Sequence, residues 1–424
     1  MSTFKFRKSI KCDLAHFKPA QYNSSSSNIA SIPEGNKVTI RDTNSYDIKA
    51  TIVCPSDIDY FLFSPDCKLI AILTKDPNSV QIYMVDKVIL SKDNLTIPIC
   101  SLSGGIIEIE KILWSPNSKF ILMCSVFSII IFIYSIESKK IIKIPPPKNA
   151  FGAFCFSPNG NDLAILTREN RKDLVAIYDG TSFKVKKTIT LNTLDAKTLV
   201  WSPNGLRLLV IDEISHNLLE IINLETGSLY DFSEYDGYLG ITDAVFDLNP
   251  TIVSVGSFDN LVRIFSLDGW KALAELSHET LISEKSIIVY EERDGRMKLI
   301  KPPVTLEKGD GNGITNIKVS PTNKFIATTS AEIPKSIFIW NLDNFMISTI
   351  LIFKTDVHQI NWSPQEDVLS ALTESNILYL WTPNETCTVS DESIESIDYL
   401  IWRQDGEELI LFDPSAGNFD ILSK

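Results

Sequence analysis

The residue types that most often carry chemistry are present in this chain but never in a working arrangement. His16, His216, His278 and His358 each stand alone. An imidazole acts as a base or a metal ligand only beside partners at fixed spacing. No HExxH, GxSxG or Walker-type string supplies such partners. Seven cysteines, at 12, 54, 67, 100, 124, 155 and 387, form no CxxC pair. An odd number without metal spacing points to free thiols in a reducing compartment. Gly309, Gly311 and Gly313 resemble a phosphate loop, but the spacing is wrong, with no strand leading in and no helix following. They are expected to form a flexible connector. With 53 carboxylates, chance pairs carry little weight. Asp66, Asp86, Asp179 and Asp259 fall at turn positions, where a side-chain oxygen accepts from backbone amides. No catalytic, cofactor-binding or metal-binding residue is therefore assigned, and no cofactor is expected.

Composition narrows the partners. The net charge of −13 repels phosphate backbones, so nucleic acid is not expected to bind. Lys184, Lys186 and Lys187 are expected to form a solvated face. The start, MSTFKFRKSIKC, lacks the apolar region of a secretory signal. The Asn-x-Ser/Thr triplets at Asn23, Asn94 and Asn384 are accordingly expected to stay unglycosylated. The most apolar stretch, Phe120 to Tyr134, is β-branched and shorter than the ~20 residues a membrane helix needs. No membrane insertion is expected.

What organises the chain is a repeat. An aromatic or apolar residue precedes Ser-Pro, then Asp, Asn or Gly, then an apolar strand. The clear copies are at Phe63-Ser64-Pro65-Asp66, Trp114-Ser115-Pro116-Asn117, Phe156-Ser157-Pro158-Asn159-Gly160, Trp201-Ser202-Pro203-Asn204-Gly205, Val319-Ser320-Pro321 and Trp362-Ser363-Pro364. Weaker copies are Phe17-Lys18-Pro19, Phe246-Asp247-Leu248 and Trp402-Arg403-Gln404. Each predicts a hairpin. The aromatic ends a strand, proline fixes φ and removes a donor, and Asp, Asn or Gly accepts the turn's backbone angles. A second signature follows, an alternating strand ending in an aromatic, as in Val80-Gln81-Ile82-Tyr83, Ile337-Phe338-Ile339-Trp340 and Leu378-Tyr379-Leu380-Trp381.

Successive turns lie about 40 to 50 residues apart, except for one gap near 71. That is the period of a four-stranded propeller blade of the WD type. One blade cannot bury both its faces, so blades stack around an axis. The fold expected over residues 1–424 is all-β, a WD40-type β-propeller of about nine four-stranded blades in one closed ring. A seven- or eight-bladed ring with extra strands packed outside is the alternative. The segment Thr3 to Arg7 is placed to complete the ninth blade after Phe419-Asp420-Ile421-Leu422, which would remove a bare sheet edge. Two interruptions stand out. Gln21 to Ser27 is expected to lengthen a mobile hairpin in blade one. Residues 277–313 are expected to form a loop inserted between blades six and seven.

Some strings look more specific than the repeat. They are Tyr235-Asp236-Gly237-Tyr238-Leu239-Gly240-Ile241, Val255-Gly256-Ser257-Phe258-Asp259, Val262-Arg263-Ile264, Trp270-Lys271, Ile287-Ile288-Val289-Tyr290-Glu291, Gly311-Asn312-Gly313-Ile314 and Ile333-Pro334-Lys335-Ser336-Ile337-Phe338-Ile339-Trp340. With the order of the nine turns, they resemble the centrosomal and spindle-pole WD-repeat family whose human member is encoded antisense to the p73 gene. The resemblance covers nearly the whole length. Blade one departs from it, with Phe17-Lys18-Pro19-Ala20 in place of a Ser-Pro-Asp-Gly turn.

The resemblance implies a non-catalytic adaptor at microtubule-organising centres, in cytoplasm and cytoskeleton, or inside the nucleus in a closed mitosis. Its implied partners are a coiled-coil anchoring protein and a minus-end-directed kinesin, which together hold microtubule minus ends. A scaffold in another process, such as translation initiation, is the alternative, because such propellers also repeat Trp-Ser-Pro turns. A propeller enzyme would need polar groups converging in the channel. The candidate interface residues are Tyr235, Tyr238, Trp270 and Tyr290, large aromatics around the longest departure from the repeat, of the kind that dominates binding energy. An all-strand ring predicts a far-ultraviolet circular dichroism spectrum with helix content below roughly 20%.

Overall fold

A computed structural model describes residues 5–11, 20–87, 95–103, 108–125, 127, 130–149, 152–232, 240–248, 251–390, 397–413 and 418–424. They form nine blades of antiparallel strands. The innermost strands are Ala20–Tyr22, Ile58–Phe63, Ile109–Trp114, Phe154–Phe156, Thr198–Trp201, Ile241–Phe246, Ile314–Val319, Val357–Trp362 and Tyr399–Trp402. Nine apolar clusters of described residues alternate with the blades. One lies between blades one and two, around Ile40, Ile52, Phe61 and Ile72. The series continues blade by blade. The last cluster joins Phe412, Phe419 and Ile421 of blade nine to Tyr22, Ile29 and Tyr46 of blade one. Every blade thus shares a core with both neighbours, and the ring is closed. The apolar stretch at Phe120 to Tyr134 contains the strands Phe120–Ser125 and Ile131–Ser135 of blade three.

The recurring turn has a mechanism. Ser64 is buried, donates its hydroxyl to Asp66 Oδ1 (2.6 Å) and accepts from the Leu69 amide (2.9 Å). Ser115 does the same with Asn117 and Phe120, Ser157 with Asn159 and Asp162, and Ser202 with Asn204 and Arg207. The residue three places after the serine takes a left-handed φ, at Cys67, Ser118, Gly160, Gly205 and Asn323. The hydroxyl satisfies the backbone amide five residues on and fixes the Asp or Asn that caps the turn. Blade one uses another residue for this purpose. Phe17-Lys18-Pro19 lies outside the described residues, and the innermost hairpin turns at Asn23–Ser27. Asn23 Oδ1 accepts from the Asn28 amide (3.0 Å), five residues on, as Ser64, Ser115, Ser157, Ser202 and Ser320 do. Ser26 has the left-handed φ of 57°. This segment is a pinned turn, since Asn23 Nδ2 also donates to Ser27 Oγ (3.1 Å) and Ser24 Oγ to the Pro65 carbonyl (2.6 Å).

Aromatics before the turn stitch blades backwards. Trp114 Nε1 donates to the Leu62 carbonyl (3.2 Å), Trp201 to Cys155 (3.0 Å) and Trp362 to Lys318 (2.9 Å), each on the preceding blade's innermost strand. Other side chains stitch forwards. Innermost strands in blades two, three, six, seven and eight carry a β-bulge near their start, at Asp59, Glu110, Thr242, Thr315 and His358. In three of them the residue after the bulge reaches the next blade's backbone. Tyr60 Oη accepts from the Ile112 amide, Asp243 Oδ2 from Ile317 (3.1 Å) and Gln359 Oε1 from Leu400 (3.0 Å).

Closure falls to the start of the chain. Lys5–Lys11 is the outermost strand of blade nine, antiparallel to Asn418–Ser423, with Lys5 opposite Ser423 and Lys11 opposite Asn418. The expected Thr3–Arg7 segment therefore lies partly in a strand that runs four residues further. Beneath it sits Glu408, whose side chain is 2% exposed. Its carboxylate accepts from Arg7 (2.8 Å), from Arg403 (2.8 Å) and from the Tyr46 hydroxyl (2.9 Å), with Tyr22 Oη at 3.5 Å. One side chain gathers the first strand, blade one and the turn of blade nine. Burial and the hydrogen bond to Glu408 push the Tyr46 hydroxyl up to about 12.

Replacing Glu408 by alanine leaves buried Tyr22 and Tyr46 without their acceptor and Arg403 with Asp405 alone, and breaking a buried ion pair typically costs ~3–5 kcal/mol. Denaturant titration should show that loss for Glu408→Ala and a smaller one for Glu408→Gln. Deletion of residues 1–11 should lower the melting temperature of the whole ring; an unchanged value would reject closure by this strand.

Candidate protein interface

Antiparallel blades sort the connections onto two faces. First-to-second and third-to-fourth turns share one face, here the turn face. Second-to-third turns and blade-to-blade links share the other, the connection face. The longest link, between blades six and seven, is built of strands. Ile288–Arg293 and Arg296–Ile300 form a hairpin, and Ile288–Arg293 pairs in parallel with Met346–Ile352, widening blade seven to six strands. Leu281–Ile282 pairs with Val304–Thr305 at the base. The expected loop is thus a folded extension of blade seven. Its hairpin turn is Asp294-Gly295, with φ of 54° and 69°. Two successive left-handed residues match the twist of flanking strands, and Asp-Gly is among the dipeptides that favour them.

The rest of the link is pinned to blade seven. Gly309 N donates to the Glu332 carbonyl (2.8 Å), and Lys308 pairs with Glu332 (2.6 Å). A Cβ on Gly309 or Gly311 would lie 2.8 Å from Pro334 or Ala331 respectively. These glycines permit close packing, and the expected flexible connector is replaced by a fixed one. Asn260, in the second-to-third turn of blade six, holds the end. Its Oδ1 accepts from Gly313 N (2.7 Å) and Ser330 Oγ (2.9 Å), and its Nδ2 donates to Glu332.

Behind the loop lies a buried polar chain. His278 Nδ1 contacts the Asn260 carbonyl (2.9 Å), His278 Nε2 contacts Thr328 Oγ1 (2.8 Å), and Trp340 Nε1 donates to the same hydroxyl (2.9 Å). The imidazole packs edge-on against Phe338 and Trp340. His278 is a satisfied core histidine. His216 lies 3.6 Å from Asp212, and His358 is exposed near Glu374 at 3.8 Å. His16 lies outside the described residues. Among the described residues no group of His, Cys, Asp and Glu could hold a metal. Asp179 accepts from the Thr181 (3.1 Å) and Ser182 (2.8 Å) amides, which with Lys186 hold its carboxyl below the usual range. Asp66 and Asp259 accept from amides two residues on, as turn capping requires.

On the connection face the pinned loop and blade eight enclose a cleft of about 710 Å³. Thr315, Asn316, Thr329 and Ser330 form its floor, with Asp310, Asp356 and His358 around it. Lys335 is engaged by Glu307 at 2.8 Å. This arrangement offers hydrogen-bonding groups beside carboxylates and suits a polar peptide segment.

The four aromatics singled out from sequence are not gathered at one place. Tyr235 and Tyr238 lie outside the described residues. Trp270, with φ of 52°, sits in a turn-face loop and stacks on Phe265 (5.1 Å) and Tyr230 (6.1 Å) in the core of blades five and six. Tyr290 is half-buried on the added hairpin against the core of blades seven and eight. The cleft residues had no sequence signal, because they converge from two blades.

No protein-family model matches the chain. It is similar along its length to WD repeat-containing proteins. Mouse WD repeat-containing protein WRAP73 is 21% identical, the alignment covering 88% of this chain and 87% of that one. An uncharacterized WD repeat-containing protein of Schizosaccharomyces pombe, C32H8.09, is 21% identical over 79% of this chain and 72% of its own. Among solved structures, an eukaryotic initiation factor gives a TM-score of 0.60 at 13% identity, over 88% of this chain and 87% of that one. The C-terminal WD40 domain of Sif2 gives 0.54 at 11% identity, over 99% and 98%. These structural likenesses establish the WD40 propeller fold.

The buried imidazole sets a pH window. Burial holds His278 down to about 4, against 6.5 when exposed. Between those values the unfolded chain binds the extra proton, so stability falls as pH drops from about 6.5 towards 4. The full loss is about 3 kcal/mol at ~1.4 kcal/mol per pKa unit. Urea titrations across that window should show a flatter pH slope for His278→Gln than for the native chain; equal slopes would refute the assignment.

Proposed function

We propose that the chain is a non-catalytic WD-repeat adaptor at the spindle pole body or centrosome. It anchors microtubule minus ends with a coiled-coil partner and a minus-end-directed kinesin, in the cytoplasm and cytoskeleton or within the nucleus of a closed mitosis. The observation that carries this reading is the end-to-end similarity to the mouse relative, reinforced by the strings between Tyr235 and Trp340. Similarity spanning the ring supports a shared scaffold.

The partner surface on this reading is the connection face at blades six to eight. Tyr235 and Tyr238 precede blade six in the sequence, Tyr290 stands on the added hairpin, and the cleft lies on the same blade as that hairpin, the chain's most divergent. Trp270, engaged in the core of blades five and six on the turn face, is not part of this surface. A role in translation initiation rests on likeness of fold alone.

A fluorescently tagged chain should concentrate at γ-tubulin foci in dividing cells of its source organism. Tyr238→Ala combined with Asp310→Lys and Asp356→Lys should weaken capture of the coiled-coil partner by about tenfold or more, the scale of a lost hot spot, with an unchanged circular dichroism spectrum. Tagged protein absent from the foci but co-sedimenting with ribosomes would transfer the assignment to translation.

A further inference from the structure

The turn face is electrically divided. Lysines occupy its loops on blades two, three and four. Lys68 and Lys119 follow the Ser-Pro turns, and Lys87, Lys139, Lys140 and Lys184 lie at the third-to-fourth turns. All six are exposed, and none makes an ion pair among the described residues. On blades eight, nine and one the equivalent loops carry Glu366, Asp367, Glu385, Asp405, Glu407 and Asp42. The contrast is visible in composition too. Residues 135–190 hold ten Lys and Arg against five Asp and Glu, where the whole chain has 40 against 53.

The lysine arc has a built groove. Between blades two and three, on this face, lies a depression of about 420 Å³. Leu69, Met84 and Ile136 form its apolar lining, and Met84 is 45% exposed. Lys68, Lys87 and Lys119 stand at its rim. Three carboxylates share that rim, Asp66, Asp86 and Glu137. Asp66 is committed to its own turn through Ser64 Oγ (2.6 Å) and the Lys68 amide (3.2 Å). The arc continues to Lys139, Lys140 and Lys184, because Phe183 packs on Phe120 of blade three at 4.9 Å and brings the Lys184 turn against it. An exposed Met84 flanked by Leu69 and Ile136, with lysines that make no ion pair around it, offers an apolar anchor point within a locally basic rim.

We propose that this groove binds an acidic segment of a partner protein, with an apolar side chain on Leu69, Met84 and Ile136 and flanking carboxylates on the lysine arc. The surface lies on the opposite face from the blade-seven cleft, so the ring holds two partners at once. Complementary charge would speed their encounter and make it salt-dependent. The reading stands apart from any spindle-pole role, since it uses only the charge and shape of the turn face.

The test is fluorescence anisotropy with a labelled peptide of glutamates flanking a single leucine, using the full chain. Binding should weaken as ionic strength rises. Lys119→Glu with Lys139→Glu and Lys140→Glu should reduce affinity by at least about tenfold, given roughly a kilocalorie per partly exposed charge contact. The milder Lys→Gln set gives a smaller loss in the same direction and guards against misfolding. Met84→Glu should abolish the leucine's contribution, while Lys37→Glu, on the connection face of blade one, should change nothing. The proposal is overturned if the reversals leave affinity unchanged, if an oligouridylate of equal charge binds more tightly than the peptide, or if sedimentation shows that the lysine arc pairs instead with the acidic arc of a second copy.

Discussion

A ring of sheets is only as secure as its last seam. Eight of the nine inter-blade cores form between segments that follow one another in sequence. The ninth joins residues about four hundred positions apart, and it depends on Lys5–Lys11 finding Asn418–Ser423. Glu408 concentrates that dependence in one carboxylate, buried and shared by Arg7, Arg403 and Tyr46. A buried charge with several donors is tolerable; with donors removed it is among the costliest groups a fold can hold. The geometry of both faces, and so any binding surface, assumes this seam is shut.

Within the ring, polar side chains do two separate jobs. Serine, asparagine or aspartate at the inner turn closes the hairpin on itself in blades one to seven, as Ser64, Asn23 and Asp247 show. Indoles and post-bulge residues tie blade to blade, backwards from Trp201 and forwards from Gln359. The division explains why the inner-turn residue varies so little while the bulge position ranges from Asp59 to His358. The inner-turn residue must satisfy fixed backbone atoms, whereas the bulge residue is an extra one whose side chain the ladder does not use.

Local chemistry was legible from residues alone where it repeats. The spacing of Ser-Pro turns yields nine blades, and aspartates such as Asp179 cap turns as their positions suggest. Legibility failed where one copy departs from the rest. In blade one a proline drew attention to Phe17-Lys18-Pro19, although Asn23 supplies the turn's acceptor. In residues 277–313, composition suggested a connector, yet Asp294-Gly295 between β-rich runs was a hairpin signal of ordinary strength. Gly309 and Gly311 looked flexible because sequence cannot show Pro334 and Ala331 pressing on them. Sites that converge from two blades, such as Thr329 beside Asp356, leave no pattern along the chain.

The seam also orders events in time. Ribosomes deliver a chain from its first residue, so Lys5–Lys11 is synthesised long before Asn418–Ser423 exists. Blades one to eight can stack as they emerge, while the strand that will finish blade nine waits with its backbone unpaired. A nascent or truncated product therefore presents a bare edge, the kind of surface chaperones and degradation machinery engage. Only a chain that includes Asn418–Ser423 can hide it, so any product cut short upstream of that strand carries an open seam.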